Sequence, residues 1–203
     1  KVYQASTSEL FGAAEETPQN ERSRMNPQSP YSIGKWVGYR AIQKYRESYG
    51  IFACNGILFN HESPHRGEDY VTRKVTKAVA RIKLGKQDKL IMGNLDSLRD
   101  WGYSKEFMEA AWLMMQQNKS DDYCIGTGET HKVREWVDEA FKAVGLNWQD
   151  YVVQDKKYFR PAEVDILKCD YTKAKKVLSW EPQVKFNELV KMMVASDLEQ
   201  ESK

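Results

Sequence analysis

Short apolar runs alternate with longer stretches in which apolar residues recur at helical spacing. Residues 2–6 and 51–59 are apolar with β-branched and aromatic members, and each predicts a buried strand. Residues 89–92 and 122–125 predict two briefer strands. Between them, a helix is expected to open near Pro30, a residue suited to a first helical turn, and to stop near Gly50. Residues 71–84, 104–117 and 131–144 carry one-sided apolar stripes and predict three more helices. Two further helices are expected over residues 174–178 and 186–198, separated by Pro182. Residues 12–30, with Pro18, Pro27 and Pro30, read as a loop, as does the polar stretch 60–68. Strands alternating with helices predict an α/β fold with a mostly parallel sheet.

Composition narrows the class. The 203 residues are 41% hydrophobic and 30% charged with a net charge of +2, the profile of an ordinary globular protein with length enough to bury a core. The charges are interspersed, which argues against a nucleic-acid face, and no apolar run reaches the length of a membrane span. Cys54, Cys124 and Cys169 lie far apart without a Cys-x-x-Cys pair, so neither a disulfide framework nor a zinc site is expected, and a reducing cytoplasm is. The first residues lack the pattern of a signal peptide and read like a strand entered midway.

The chemistry concentrates in two places. Tyr31-Ser-Ile-Gly-Lys35 puts a phenol and an ammonium one helical turn apart on one face. A tyrosine ordinarily ionises near pH ~10, and a nearby cation favours the phenolate, so the pair has the character of a general base for an alcohol. Upstream, Ser6-Thr-Ser-Glu9 ends the first strand with hydroxyls and a carboxylate, and ligands of open parallel sheets bind beyond the carboxyl ends of strands. Taken alone the Tyr-x-x-x-Lys spacing is weak: Tyr171 and Lys175 repeat it on what reads as a solvated helix face. Glu9 by itself reads sooner as a helix cap or salt-bridge residue than as a catalytic group, and His61 as a loop stabiliser. Arg99 and Arg160 could pair with Asp100 and Asp165. His65 and His131 read as surface residues, Trp101 and Trp112 as core, and Lys173-Ala-Lys-Lys176 as a solvated face. Alcohol oxidation needs a nicotinamide cofactor, and no glycine-rich dinucleotide loop precedes these motifs.

Ala5-Ser-Thr-Ser-Glu-Leu-Phe-Gly12 and Ser29-Pro-Tyr-Ser-Ile-Gly-Lys35 resemble the extended short-chain dehydrogenase/reductase superfamily. Gly56-Ile-Leu-Phe-Asn-His-Glu-Ser-Pro64 narrows the resemblance to the GDP-mannose 4,6-dehydratases. Val71-Thr-Arg-Lys74, Gly93-Asn-Leu-Asp96, Arg99-Asp-Trp-Gly102 and Arg160-Pro-Ala-Glu-Val-Asp165 follow in that family's order. The resemblance covers nearly the whole chain, with one departure: where the family has a first arginine in Ser63-Pro-His-Arg-Gly67, this chain has His65.

The resemblance implies roles. Thr7, Glu9 and Tyr31 form the catalytic set with Lys35, and Tyr31, Lys35, His61 and Arg66 contact an NADP cofactor. Asn60, Val71, Lys74, Arg99, Arg160 and Glu163 contact the nucleotide sugar GDP-mannose, the arginine forks suiting a diphosphate. No metal is implied. Tyr31 takes the proton of the mannose 4-hydroxyl as hydride leaves; Glu9 then removes the C5 proton and returns it to the departing 6-hydroxyl; Thr7 holds the 4-oxygen. The product is GDP-4-keto-6-deoxy-mannose plus water, in nucleotide-sugar metabolism of the kind that leads to GDP-fucose.

The same resemblance divides the chain into residues 1–60, the C-terminal part of an NADP-binding Rossmann domain carrying the catalytic residues, and residues 61–203, mainly a smaller α/β substrate-binding domain with segments returning to the sheet. It implies preceding strands with the glycine-rich loop, a cytoplasmic location, and a homo-oligomer, dimer or tetramer, without nucleic-acid or membrane partners. Two other readings of the residues stand beside it: a nucleotide-sugar epimerase or reductase using the same Tyr–Lys pair, and a non-catalytic GDP-sugar binding module. Glu9 discriminates the first, since epimerisation needs no elimination.

Overall fold

A computed structural model describes residues 1–158 and 166–203. In chain order the elements are β1 (Val2–Thr7), α1 (Pro30–Tyr49), β2 (Ala53–Leu58), β3 (Asn60–Glu62), α2 (Val71–Lys83), β4 (Leu90–Met92), β5 (Leu98–Arg99) and β6 (Trp101–Tyr103). They continue with α3 (Ser104–Gln116), β7 (Asp122–Ile125), β8 (His131–Lys132), α4 (Val133–Lys142), β9 (Val152–Gln154), β10 (Ile166–Leu167), α5 (Thr172–Leu178) and α6 (Phe186–Glu201). The chain forms two compact units. The first comprises residues 1–61, 99–130 and 164–183, the second residues 62–98, 131–163 and 184–203.

The first unit is built on a parallel sheet in the order β1-β2-β7, so the fold is α/β with a parallel sheet. β2 is the middle strand and all six of its residues are buried, which is why its sequence lacks polar alternation. Its residues alternate between two cores. Cys54 and Leu58 pack with Phe107, Met114, Tyr123, Ile125 and Trp180 on one side. Ile57 packs with Leu10, Phe11, Tyr39, Cys124 and Cys169 on the other. Gly56 sits where a Cβ would collide with the Tyr3 hydroxyl of the neighbouring strand, so only glycine fits.

α1 is bounded by local chemistry. Ser29, extended at φ −127° and ψ 155°, caps the helix, Pro30 follows at its first position, and Gly50 ends it in the left-handed region at φ 63°. Its C-terminal half is pinned to the sheet through Asp122. That carboxylate accepts from Gln43 Nε2 (2.8 Å), Asn55 Nδ2 (2.9 Å) and both terminal nitrogens of Arg46 (3.0 and 3.1 Å). The loop between β1 and α1 is held across its length. Gln19 exchanges main-chain bonds with Lys168 and Asp170 (both 2.8 Å), and Glu21 accepts the amide of Cys124 on β7 (2.8 Å).

In the second unit α2, α4 and α6 pack together through Val75, Val79 and Ile82, through Trp136, Val137 and Phe141, and through Leu189, Val190 and Met193. A buried ion pair crosses this core: Arg73 Nε donates to Asp197 Oδ1 at 2.7 Å, and Thr76 Oγ1 donates to Asp197 Oδ2 at 2.6 Å. β4 and β9 pair in parallel, Leu90 opposite Val152.

Several expectations need correction. The stretch expected to be a loop from residue 60 begins as a short strand, β3. Trp112 is exposed on α3 (61%), because its position falls outside the stripe of Phe107, Ala111 and Met114. His131 is no surface residue. Its ring stacks on Phe186 with centroids 3.8 Å apart, and its Nε2 is buried. Lys173 leaves the solvated face to donate to the Asp122 carbonyl (2.8 Å) and pair with Asp121 (2.7 Å). Asp100, offered above as a partner for Arg99, has its carboxylate filled by the amides of Thr127, Gly128 and Cys169 and by the Thr127 hydroxyl.

Candidate active site

β1 ends at Thr7 and runs directly into a 3-10 turn, Ser8–Leu10. Thr7 Oγ1 caps that turn by accepting the Glu9 amide at 3.2 Å. This fixes the Glu9 backbone immediately beyond the carboxyl end of the strand. The Ser29 hydroxyl then lies 3.4 Å from Glu9 Oε2, twenty positions away in sequence. Ser29 is the N-cap of α1, and Tyr31 is the second residue of that helix. Glu9 and Tyr31 are therefore carried on two chain ends joined by one hydroxyl.

Lys35 completes the group. Its Nζ donates to the carbonyl of Ala5 on β1 at 2.8 Å and lies 5.7 Å from the centroid of the Tyr31 ring. Tyr31 is 54% exposed. Ser6, on β1 beside Thr7, is 5% exposed, and its Oγ finds no hydrogen-bond partner among the described residues. A buried hydroxyl left so costs stability unless something polar meets it.

The remaining candidates divide between the units. Asn60, His61 and Arg99 lie in the first, as do Thr7, Glu9, Tyr31 and Lys35. His61 Nδ1 donates to the Phe59 carbonyl (2.9 Å), and its ring packs on Phe107 with centroids 5.1 Å apart, which fixes tautomer and orientation together. Asn60 opens β3, and Arg99, half-buried, closes β5. Arg66, Val71 and Lys74 belong to the second unit. The Arg66 guanidinium stacks on the Tyr70 ring at 3.6 Å, with its Nε 3.3 Å from Glu62 Oε2. Glu62, 1% exposed, has its carboxyl pushed up to about 7 by burial, against the pull of Arg66 and of the Thr72 hydroxyl at 2.6 Å. Val71 is the first residue of α2, and Lys74, one turn on, donates to the Ile91 carbonyl at 2.8 Å. Arg160 and Glu163 lie outside the described residues.

Ser29 and Ser6 were not picked out as site residues from the sequence. The signal for Ser29 was available: a serine immediately before a proline that opens a helix is an N-cap. Ser6 carries no local signal, since its isolation is a property of the packed sheet.

The backbone matches solved Rossmann-type structures. One is an RMD from Pseudomonas aeruginosa complexed with NADPH, with a TM-score of 0.90 at 19% identity, covering 98% of this chain and 66% of that one. Another is the dTDP-glucose 4,6-dehydratase of Bacillus anthracis in complex with NAD, with a TM-score of 0.86 at 20% identity, covering 100% and 63%. At these identities the likeness is one of fold. Sequence comparison goes further. The family described as GDP-mannose 4,6 dehydratase matches residues 1–193. GDP-mannose 4,6 dehydratase 2 of Arabidopsis thaliana is 56% identical over 199 residues, spanning 98% of this chain and 53% of that protein. The human GDP-mannose 4,6 dehydratase is 47% identical over 216 residues, spanning 98% and 58%. The chain belongs to the GDP-mannose 4,6 dehydratase family. It spans between about half and three fifths of the length of these relatives.

Proposed function

We propose that the protein carrying this chain is a hydro-lyase that converts GDP-mannose to GDP-4-keto-6-deoxy-mannose and water with NADP, and that Thr7, Glu9, Tyr31 and Lys35 are its catalytic set. The observation that carries this reading is the 3.4 Å approach of Glu9 Oε2 to Ser29, the cap of the helix bearing Tyr31 and Lys35. It brings a carboxylate to the same end of the fold as the phenol.

The residues fit a nicotinamide nucleotide. The Lys35 ammonium has three donors, and the Ala5 carbonyl takes one, which leaves a cation suited to a ribose hydroxyl. The buried Ser6 hydroxyl offers a polar partner at the strand's carboxyl end. When bound, the cofactor supplies the acceptor and donor of hydride. Tyr31, with the Lys35 charge beside its ring, takes the proton from the sugar 4-hydroxyl. Thr7 Oγ1 donates to the 4-oxygen while accepting the Glu9 amide. The C4 ketone acidifies C5–H. Glu9 removes that proton, leaving its electron pair as an enolate. The neutral Glu9 then gives the proton to the 6-hydroxyl, the C6–O bond breaks, and water departs; the hydride taken from C4 returns to C6 and the proton held by Tyr31 goes to C5, which leaves the 4-keto-6-deoxy sugar.

His61 and Arg66 contact the cofactor in this reading. Asn60, Val71, Lys74, Arg99, Arg160 and Glu163 contact the nucleotide sugar. The relatives' names support the substrate, and the NADPH complex of the Pseudomonas aeruginosa RMD supports NADP. The protein acts in the cytoplasm as a homo-oligomer in nucleotide-sugar metabolism leading toward GDP-fucose. No described helix is long and apolar enough to cross a membrane.

The test uses the protein as naturally encoded, supplied with GDP-mannose and NADP⁺. Wild type yields the 4-keto-6-deoxy product. Glu9→Gln is expected to stop water loss yet leave reduction of bound NADP⁺ detectable by the absorbance of the reduced nicotinamide. Water loss at the wild-type rate in Glu9→Gln overturns the assignment.

A further inference from the structure

We infer that Ser29 is a positioning residue for Glu9, a hydroxyl switch that serves the carboxyl group in both its ionised and its neutral form. The inference rests on the acid–base role proposed for Glu9 and goes beyond it, because the role demands something of the surroundings. A group that must be a base and then an acid within one turnover needs a neighbour that can donate to it and afterwards accept from it. A fixed donor, such as a main-chain amide or a lysine, would hold the carboxylate ionised and oppose the second state.

The hydrogen-bond inventory around Ser29 meets that demand. Its Oγ accepts the Ser32 amide at 3.1 Å, which closes the cap of α1. Ser32 Oγ is 3.0 Å from the Ser29 carbonyl, which accepts its proton, and 3.0 Å from the Ser29 amide, which donates to it. The Ser32 proton is therefore committed, and its oxygen has one lone pair to spare. The single proton on Ser29 Oγ has two acceptors within reach: Glu9 Oε2 at 3.4 Å and Ser32 Oγ at 3.0 Å. While Glu9 is ionised, the Ser29 proton turns toward the carboxylate. Once Glu9 has taken a proton, the Ser29 hydroxyl rotates to Ser32, and its oxygen accepts from the neutral acid. One bond rotation replaces one hydrogen bond by another, so neither state leaves a polar group unsatisfied. The separation from Glu9 is long, as contacts of catalytic groups commonly are before substrate closes on them.

The arrangement also explains a choice of residue. Asparagine or aspartate would cap α1 as well as serine. With the side-chain oxygen spent on the Ser32 amide, an asparagine has only N–H donors left to offer Glu9. Serine, or threonine, alone combines a cap with a reversible donor.

The experiment compares Ser29→Ala, Ser29→Asn and Ser29→Thr with wild type and with Glu9→Gln in the naturally encoded protein. It reads thermal stability, kcat and KM for GDP-mannose, the pH profile of kcat, and NADP⁺ reduction. Ser29→Asn is expected to keep the stability of wild type while losing about tenfold or more in kcat, with KM little changed and a displaced pH profile. Ser29→Thr is expected to recover the wild-type rate. Ser29→Ala is expected to lose both stability and rate. If Glu9→Gln stops water loss but Ser29→Asn retains the wild-type kcat and pH profile, Ser29 is only a cap and the inference is overturned while the role of Glu9 stands. If Glu9→Gln eliminates water normally, the underlying reading fails and the inference with it.

Discussion

Lys35 reaches from the first turns of α1 back to β1, where its Nζ donates to the Ala5 carbonyl at 2.8 Å. A lysine on a helix surface is ordinarily a freely moving charge; here the main chain of the strand anchors it. The anchor lies two residues before Thr7, so the ammonium, the Thr7 hydroxyl and the Tyr31 ring are referred to one strand end.

Lys35→Met removes the charge and the tether together. The turnover of GDP-mannose is expected to fall by roughly 100-fold or more, the scale of one lost general-base system. Stability is expected to fall by only about 1 kcal/mol, the scale of one hydrogen bond. Product formation and urea unfolding measured on the same preparation check both. A Lys35→Met protein with wild-type turnover would remove Lys35 from the catalytic set.

How far the sequence foretold this arrangement depends on the range of the contacts involved. α1 was legible because its signals are local: Pro30 at one end, Gly50 at the other. β1, β2 and β7 were legible as apolar runs, and the parallel sheet followed from their alternation with helices. β3 was not, because its three residues, Asn60, His61 and Glu62, are all polar and read as loop. The Tyr31–Lys35 pair stood out by its helical spacing. Its link to Glu9 through Ser29 did not, since the two lie twenty positions apart and the chain between must fold back before they meet. The Asp122 knot was equally hidden: Asn55, Arg46 and Gln43 lie 67, 76 and 79 residues away in sequence.

That knot sets an acid limit on stability. Burial raises the Asp122 carboxyl, but the bonds from Arg46, Gln43 and Asn55 outweigh it and hold the group below the usual aspartate value of 3.8. A carboxyl depressed in the folded state contributes stability above its unfolded value, and that contribution is lost as pH falls through the folded one. Asp122→Ala is expected to cost about 3–5 kcal/mol at neutral pH, because Arg46 is left without its partner in a mostly buried site. It is also expected to flatten the loss of stability below about pH 4. Denaturant unfolding across acid pH would refute this if the variant and wild type ran parallel.

Glu62 behaves with the opposite sign. Its carboxyl is raised from 4.5 to about 7, first by burial. Between those two values the folded state holds more protons than the unfolded state, so stability falls as pH rises through the window and levels off above it. Glu62→Gln keeps the shape and the bond to Thr72 without the charge. Its stability is expected to be flat across that window where wild type declines, and unfolding free energies at intervals from pH 4 to 8 would reveal a matching decline if the expectation were wrong (about the range set by the two values).

Arg73 and Asp197 pose the question of whether a buried ion pair stabilises the second unit or merely demands its own completeness. Their side chains are 7% and 2% exposed, and burial raises the Asp197 carboxyl despite Arg73 and Thr76 beside it. A pair whose desolvation outweighs its attraction in this way contributes little net stability, yet removing one partner strands the other. Arg73→Met is therefore expected to cost about 3–5 kcal/mol, and Asp197→Leu a similar amount. The double variant is expected to lose far less than their sum, since two apolar side chains leave no buried charge without its partner. A double-mutant cycle by urea unfolding measures the coupling directly. Additive losses would mean that the two side chains are not coupled and that each stabilises the unit through its other partners, and would overturn the expectation.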